Sequence, residues 1–490
     1  MINKNTSETT EKKYRAYDNG KRNVEYWGSA DRIDTSGHED AKERLVRLYR
    51  SDDFMQKLFD EPFTARKDIE EAQLERIREL VTDAWNIPLY HDKYAAAGFD
   101  LPMLQNLDWD TYNRLPVVTK DELIDAFPHS CINLRYKDQI DTAADTLFRT
   151  RTSGTSGRVL RILVDPKAVV TDTLQGLRQY WLQSQRSYTK GDLHAFVYSL
   201  PSWMTDLNKD YPQFFIDTLL PPEAMAEILN NEQPEILSLN ASNLAPIIPL
   251  LTRKTIQNLK LVCLHSEMSS KDERQALSKQ LDGTPVLDEY SSEEAARIAL
   301  EMPCGHYHVC EDNVRLDVID PETGAFAEDG ATGHVVITNL LNEAMPFIKY
   351  MQGNDLITSS KQSKCPDSIT WRQIERVEGR ANDAFVRPDG QKVLPGTLLD
   401  LTYQWMIEVG GLDNIESFVR GFSFVQEAPN LIRLTVANPD FSDAAYREPA
   451  EKILKKLVRD VMGDEVEVKM DVVDKLSEYE GKRRPIRSNL

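Results

Sequence analysis

The stretch Thr152-Ser153-Gly154-Thr155-Ser156-Gly157-Arg158 combines hydroxyl side chains, two glycines and a cation. It follows a run of residues that predicts a strand. Glycine permits backbone conformations in which several N–H groups face one side, and such a loop can wrap an anionic triphosphate. Arg158 adds a charge that pairs with phosphate oxygens. The spacing differs from that of the nucleotide loop ending in Gly-Lys-Ser/Thr, so these residues alone leave open both an anion site and a flexible connection.

Around this loop, strand-like and helical patterns alternate from residue 146 to residue 340. This alternation predicts a layered α/β fold. Nearer the start, Thr119 with Glu122 three residues later predicts a capped helix start. The predicted strands cover residues 161–164, 194–198, 259–264, 314–318 and 333–338, and the predicted helices include residues 171–184 and 271–281.

The pattern of predicted secondary structure changes after Gly379, where short predicted strands flank one amphipathic helix. We therefore predict an α/β protein with a large N-terminal layered α/β domain, which includes a β-rich subdomain, over residues 1–378. A small, mobile C-terminal α/β domain covers residues 379–490. Residues 1 to about 40 are polar and predict an arm that gains order only by docking.

The composition excludes several classes of protein. A formal charge of −20 argues against binding nucleic acid through a broad basic surface. Five cysteines, an odd number in a long chain, do not suggest a disulfide scaffold. The first residues lack the apolar core of a signal peptide, and no apolar run is long enough to span a bilayer. The sequence predicts a cytoplasmic protein without nucleic-acid or membrane partners.

Several further segments, in the expected order, resemble those of the adenylate-forming superfamily, and most of all its phenylacetate–coenzyme A ligase branch. Together with the loop they cover roughly residue 85 to the end. The segments are Ile87-Pro88-Leu89-Tyr90, Leu115-Pro116-Val117-Val118-Thr119-Lys120, His265-Ser266-Glu267, Asp288-Glu289-Tyr290-Ser291-Ser292-Glu293-Glu294, Tyr307-His308-Val309-Cys310-Glu311-Asp312, Phe347-Ile348-Lys349-Tyr350 with Asp355-Leu356, Glu378-Gly379-Arg380-Ala381-Asn382-Asp383, and Gly481-Lys482.

The resemblance implies an AMP-forming ligase that activates a carboxylic acid with ATP and Mg²⁺ and passes the acyl group to coenzyme A. Two anions must meet in such a reaction, so the site must neutralise charge. By the resemblance, Lys482 donates to the oxygens at the α-phosphate, and Glu294 helps to hold Mg²⁺. The alternatives are a surface lysine in a basic tail for Lys482 and an exposed glutamate at a helix start for Glu294.

The resemblance also assigns the nucleotide contacts. The loop Thr152, Ser153, Gly154, Thr155, Ser156, Gly157 and Arg158 holds the β- and γ-phosphates. Tyr290 offers a flat face to adenine, although a lone tyrosine is usually core packing. Ser266 and Glu267 line the adenine edge, Asp355 accepts the ribose hydroxyls, and Arg380 contacts the ribose-phosphate side. Asn382 matches the hinge about which the small domain rotates between the two half-reactions.

The sequence departs from the family pattern at several positions. Arg158 stands where lysine is frequent, and Val159 where proline is usual. His265 and Ser291 replace glycines, and Glu293 replaces a serine or threonine. The segment between Tyr350 and Asp355 is one residue longer than usual. These changes leave open a homologue that binds nucleotide without turnover.

The cysteines and histidines of one region pose a separate question. Some relatives in the branch carry a structural zinc ion, but the spacing here fits no clean four-ligand pattern. A zinc site and ordinary core or surface positions both stay open. The residues concerned are Cys304, His306, His308, Cys310 and Cys365.

The sequence leaves the acid, the acceptor and the assembly undecided. The acceptor is coenzyme A, an amine or the thiol of a carrier protein, and a homodimer is left open. An aromatic segment predicts pocket walls suited to an aryl or small acid, with ordinary packing as the alternative. Its aromatic residues are Tyr198, Trp203, Tyr211, Phe214 and Phe215.

Overall fold

Five neighbouring parallel strands form the centre of the first of two units in the computed structural model. This unit comprises Met1–Thr35, Gln183–Asp288 and Glu378–Leu490, and the second comprises Ser36–Leu182 and Glu289–Val377. The structure describes residues 13–15, 25–27, 39–140, 147–152, 158–198, 207, 210–218, 220–320, 323–362, 364–410, 421–473, 476 and 484–490.

The parallel strands of the first unit have one strongly apolar face. Alternate residues of a strand point to opposite faces, and Ala195, Val197, Leu237 and Leu239 all pack into the core of this unit with the helices that connect the strands. In spatial order the sheet strands are Lys13–Arg15, Glu25–Trp27, Gln213–Asp217, His194–Tyr198, Ile236–Asn240, Leu261–His265 and Val286–Ser292, of which the last crosses the division at Asp288. The helices of this part are Pro222–Glu232, Ala241–Ile247, Arg253–Asn258 and Lys271–Gln280.

The chain from Glu378 onward contributes a second, four-stranded sheet to the first unit. The aromatic side chains Trp405 and Phe441 stack at 5.8 Å between ring centroids within the same core. The predicted boundary at residues 378/379 stays a prediction, since this segment shares its unit with Gln183–Asp288. The sheet order is Glu467–Val473, Leu431–Ala437, Phe422–Ala428 and Ile486–Ser488, and the helices are Pro395–Gly410 and Ala444–Met462.

The second unit combines an antiparallel sheet with a series of helices. The side chains of Ile77, Leu80 and Val81 belong to the same buried hydrophobic core as Val335 and Ile337 of that sheet. In order, the strands are Val286–Ser292, Ala296–Glu301, Tyr307–Val309, Gln373–Arg380, Tyr350–Ser359, Thr332–Asn339 and Val314–Ile319. The helices are Glu39–Tyr49, Asp52–Asp60, Arg66–Ala84, Pro88–Ala96, Leu101–Gln105, Trp109–Asn113, Lys120–Ala126, Lys137–Ile140 and Pro166–Gln183.

Within the described ranges, no helix has both the length and the apolar composition that crossing a bilayer requires. The arm predicted at the start of the chain is described only at Lys13–Arg15 and Glu25–Trp27. The strand Glu25–Trp27 pairs in parallel with Gln213–Asp217.

Gly379 occupies a position where a larger residue would be unfavourable for two reasons, its backbone conformation and a close neighbour. Its φ is +90°, and a Cβ there would lie 2.6 Å from Sδ of Met268. We expect Gly379→Ala to lower the free energy of unfolding by about 2–4 kcal/mol, because a strained φ and a clash add. Gly390→Ala is the matched control, since its φ is +87° and no atom lies within 4 Å of the place that its Cβ would take. Equal losses in urea denaturation would contradict a role for the contact with Met268.

Candidate active site

Thr152 and Arg158, the two described residues of the predicted phosphate loop, lie between the paired strands of a two-stranded hairpin in the second unit. Phe148–Arg151 pairs antiparallel with Arg161–Val164. Thr152 closes the hairpin: its N–H donates to the Leu160 carbonyl at 3.0 Å, and its Oγ1 accepts from the Leu160 N–H at 3.1 Å. Ser153, Gly154, Thr155, Ser156 and Gly157 lie outside the described residues. The sequence correctly placed the loop after a strand.

Arg158 is exposed and pairs with two carboxylates of the helix Lys120–Ala126. Its Nη1 lies 2.7 Å from Asp121 Oδ1, and its Nη2 lies 2.6 Å from Asp125 Oδ1. The guanidinium is therefore held at the base of the loop by negative charge. The helix itself begins as predicted, with a capping box between Thr119 and Glu122. For Arg158 to pair with phosphate, it must leave these two carboxylates.

Glu294 lies in the turn between the strands Val286–Ser292 and Ala296–Glu301, where it is buried. The alternative of an exposed helix-start glutamate is therefore wrong. Tyr350 Oη donates to Glu294 Oε1 at 3.0 Å, which orients the carboxylate. Burial, followed by the neighbouring Glu294 charge, raises the pKa of Tyr350 well above its usual range. This tyrosine therefore stays a hydrogen-bond donor.

The same turn contacts the hairpin that carries the phosphate loop. Thr150 Oγ1 donates to Glu293 Oε2 at 2.5 Å. Glu293, which replaces the family's hydroxyl residue, thus accepts a hydrogen bond from a hydroxyl on the neighbouring strand. The carboxylate of Glu294 fits a magnesium site in its chemistry, because Mg²⁺ takes one or two carboxylates and completes its shell with substrate oxygens and water.

Tyr290 and Asp355 come together although 65 positions separate them in the sequence. Tyr290 Oη donates to Asp355 Oδ2 at 2.9 Å. The extra residue after Tyr350 is absorbed where the pairing of Tyr350–Ser359 with Thr332–Asn339 shifts register. There Gly353 and Asn354 have φ values of +49° and +63°. The bulge lets Asp355 reach Tyr290 despite the longer segment.

Ser266 and Glu267 lie in the first unit, immediately after the strand Leu261–His265. Ser266 has a φ of +68°. Glu267 accepts at Oε2 from the Ser242 N–H at 2.9 Å and at Oε1 from the Ser242 hydroxyl at 3.0 Å. The carboxylate thus caps the start of the helix Ala241–Ile247. The position of Glu267 at the adenine edge stays a prediction. The structure shows in addition that its carboxylate caps this helix.

The predicted hinge residues lie at the end of the strand Gln373–Arg380. Arg380 ends the strand, and Asn382 falls in the short 3₁₀ turn Ala381–Asp383. Asp383 pairs with Arg484. The structure therefore joins the hinge to the tail two residues after Lys482, which itself lies outside the described residues.

The aromatic residues that were candidates for the walls of the acid pocket lie in different environments. Phe214 packs into the hydrophobic core of the first unit, so its prediction as a pocket wall is wrong. Tyr211 packs on Tyr188 at 5.1 Å between ring centroids. Tyr198 and Phe215 share the other face of the parallel sheet. Trp203 lies outside the described residues.

Three of the five cysteine and histidine candidates meet in the second unit. The ligand atoms of Cys304, His308 and Cys365 all lie within 4.8 Å of one another. Cys304 Sγ is 3.5 Å from His308 Nε2, which matches the roughly 3.5 Å between ligand atoms of a tetrahedral zinc ion with bonds of about 2.0–2.3 Å. His306 and Cys310 are not part of this group.

The protonation of these groups suits a metal ligand set. Burial lowers the pKa of His308 to about 4, so its imidazole is neutral. The His308 Nδ1 lies 3.3 Å from the Trp371 carbonyl, which favours the tautomer with Nε2 available to a metal. Burial raises the pKa of Cys304 to about 12, and a bound cation would supply the charge that its thiolate needs. These residues could hold zinc.

We expect the purified chain to retain about one zinc ion per molecule after dialysis, with water or another group completing the tetrahedron. Cys365→Ser should lower the zinc content at least tenfold and lower the melting temperature. Cys263→Ser is the control, because Cys263 is a buried cysteine of the first unit and is not part of this group. Elemental analysis checks the content, and a metal-free wild-type chain of unchanged stability would contradict the expectation.

Two positioning residues of the site were not predicted from the sequence. Tyr350 orients Glu294, and Arg484 holds Asp383. Both stand within the segments that carry the resemblance or directly beside them, but their roles depend on contacts between distant parts of the chain. Charge or aromatic character alone could not have distinguished them from packing residues.

Comparison with known proteins gives a consistent result. The chain is 24% identical over 348 residues to the phenylacetate–coenzyme A ligase of Pseudomonas putida, covering 67% of this chain and 74% of that one. It is 22% identical to the enzyme of that name from Escherichia coli K12, covering 68% and 75%. No protein-family model matches the chain.

The fold is similar to that of 2-hydroxyisobutyryl-CoA ligase in the postadenylation state in complex with 2-HIB-AMP. The TM-score is 0.69 at 18% identity, covering 87% of this chain and 91% of that one. The predicted resemblance is confirmed. The chain is similar in sequence to phenylacetate–coenzyme A ligases and has the α/β fold of adenylate-forming ligases. The predicted fold class is thereby confirmed as well.

Proposed function

We propose that the chain activates a carboxylic acid with ATP as an acyl-adenylate and then transfers the acyl group to coenzyme A. One observation of the structure carries the proposal: Tyr290 and Asp355, which the resemblance assigns to the adenine and to the ribose from two separate segments, meet at 2.9 Å. The similarity to coenzyme A ligases supports the class of enzyme that was predicted from the sequence. We further propose a cytoplasmic location.

In the first half-reaction, an oxygen of the acid's carboxylate attacks the α-phosphorus of ATP. The bond from that phosphorus to the bridging oxygen breaks, and pyrophosphate leaves. We assign Thr152, Arg158 and the loop between them to the β- and γ-phosphates, Glu294 to Mg²⁺, and Lys482 to the charge that develops at the α-phosphate. Bound Mg²⁺ would neutralise phosphate charge, while Tyr350 holds the Glu294 carboxylate in place.

In the second half-reaction, the sulfur of the thiol attacks the carbonyl carbon of the adenylate. The bond between that carbon and the phosphate oxygen breaks, AMP leaves, and the thiol proton passes to solvent. Rotation of residues 379–490 about Asn382 would admit the thiol. The Asp383–Arg484 ion pair would keep the tail attached to the hinge segment through that motion.

The acceptor can be identified by product analysis. The chain is incubated with ATP, Mg²⁺ and a panel of acids, with coenzyme A, an amine or a carrier protein supplied separately. We expect a thioester and AMP with coenzyme A. An amide formed in the absence of coenzyme A, or acylation of the carrier protein alone, would overturn the assignment of the acceptor while keeping the adenylation step.

We expect Asp355→Ala to raise the KM for ATP about 10- to 100-fold, because the ribose would lose hydrogen bonds to a charged acceptor. Tyr290→Phe is the matched variant, since it removes the hydroxyl that binds Asp355 and keeps the ring. Its effect should be only a few-fold. The KM values for ATP and for the acid are measured separately, and a KM for ATP unchanged in Asp355→Ala would contradict the assignment.

A further inference from the structure

The parallel sheet of the first unit has a second face whose chemistry differs from that of its apolar face. Residues paired in register on parallel strands lie side by side on the same face. Phe196 pairs with Phe215, Tyr198 with Asp217, and Asn240 with His265. Phe196 also pairs with Ser238, which lies two residues before Asn240. All of these paired residues therefore lie on one face of the sheet. This face is therefore aromatic and polar, whereas the opposite face carries only apolar core residues such as Ala195, Val197 and Phe214.

Four of these residues are the last of their strands. Asp217, Tyr198, Asn240 and His265 end four neighbouring parallel strands. With strands about 4.8 Å apart, they form a row of roughly 14 Å along the carboxyl edge of the sheet. We call these four residues the edge row. Open α/β sheets bind their ligands at the carboxyl ends of the strands, so this row lies at the edge where a small molecule would bind in such a fold.

The imidazole of His265 has a fixed position in the edge row. It stacks on the ring of Phe196 with 5.1 Å between ring centroids and an interplanar angle of 20°, and it meets Tyr198 edge-on at 5.7 Å. A glycine at this position, as in the family pattern, would leave that volume open. The imidazole of His265 therefore occupies volume at the sheet edge that a glycine would leave open to a ligand.

The rest of the edge row is polar and desolvated. Asp217 and Asn240 are each only 4% exposed. Among the described residues, no group forms a hydrogen bond with Asn240 Oδ1, which is buried. An aliphatic chain against Asn240 would leave its buried Oδ1 without a hydrogen bond, which is unfavourable. A ligand with a hydrogen-bond donor would avoid that cost.

We propose that the edge row determines acid specificity, and that the acid is compact and carries a second hydrogen-bonding group such as a hydroxyl. This inference rests on the proposed acid activation. Asn240 accepts from the added group, and His265 stacked on Phe196 excludes extended aliphatic acids. The role of Asn240 and His265 is specificity, and neither is assigned to the phosphate chemistry.

Acid-dependent ATP–pyrophosphate exchange tests the proposal with matched acids. The pairs are 4-hydroxyphenylacetate against phenylacetate and lactate against propionate, with decanoate as the extended acid. We expect the hydroxylated member to have a kcat/KM at least about tenfold higher in one pair or both, and decanoate to be the poorest substrate. Asn240→Leu should bring the two members within about threefold. His265→Gly should raise decanoate relative to the short acids at least about tenfold.

Ratios of two acids on one preparation do not depend on the fraction of folded protein, so a destabilised variant still gives an answer. His194→Gln is the control, because His194 lies on the same face at the opposite strand end, where Nε2 is 2.9 Å from Ser238 Oγ. Its ratios should match those of the wild type. Equal use of hydroxylated and plain acids, or unchanged ratios in both variants, would overturn the proposal. Absence of exchange with every acid would instead refute the proposed function.

Discussion

Lys482→Ala is expected to slow the adenylation half-reaction by about 10²–10³-fold while changing the KM for ATP by less than about threefold. The reason is that the ammonium group would interact with charge that develops at the α-phosphate, so its contribution is greater in the transition state than in the ground state. Acid-dependent pyrophosphate exchange measures this step. Thioester formation from a supplied acyl-adenylate should keep its wild-type rate, since the lysine acts only in the first half-reaction.

The control for this variant is Lys456→Ala in the same C-terminal segment. Lys456 is exposed on the helix Ala444–Met462 and lies 3.5 Å from Asp460. Removing it should leave exchange unchanged. If exchange survives in Lys482→Ala, Lys482 is an ordinary surface residue of the basic tail. Runs of basic residues are usually solvent-exposed segments of this kind.

Glu294→Gln is expected to lower the rate of adenylation by about 10²–10³-fold and to raise the Mg²⁺ concentration that gives half-maximal rate. The amide retains the size of the side chain and can still accept from Tyr350, but it loses the negative charge that a hard cation needs. Exchange rates measured over a magnesium titration separate this effect from a general loss of folded protein.

The neighbouring carboxylate provides the control. Glu293→Gln changes the same functional group one position earlier, where the carboxylate accepts from Thr150. It should lower the rate by no more than about threefold. Equal losses for both variants, or a loss in Glu294→Gln with no change in the magnesium dependence, would contradict the assignment of Glu294 to the metal.

Much of the fold could be predicted because its signals are local. The strands at Arg161–Val164 and His194–Tyr198 have the predicted bounds, and the capping box at Thr119 is present. Each of these follows from residues that are adjacent or one helical turn apart. The order of strands within each sheet could not be predicted in this way, because it depends on packing between distant segments.

The site shows the same limit at the level of single residues. Glu294 and Glu267 both stood in family-like segments, yet one is buried beside Tyr350 and the other caps a helix. No local pattern separates these two environments, because each depends on a partner from a distant segment. Likewise, Cys304 and Cys365 are 61 positions apart, and only the folded chain shows that they meet with His308 while Cys310 does not.

The most direct test of the central claim is ATP–pyrophosphate exchange in the presence of an acid and Mg²⁺, without any acceptor. This measurement isolates formation of the acyl-adenylate from the identity of the nucleophile. We predict exchange that depends on the acid and that falls at least about 10²-fold in Lys482→Ala. A chain that binds ATP but supports no exchange with any acid of a broad panel would contradict the account and would favour a nucleotide-binding homologue without turnover.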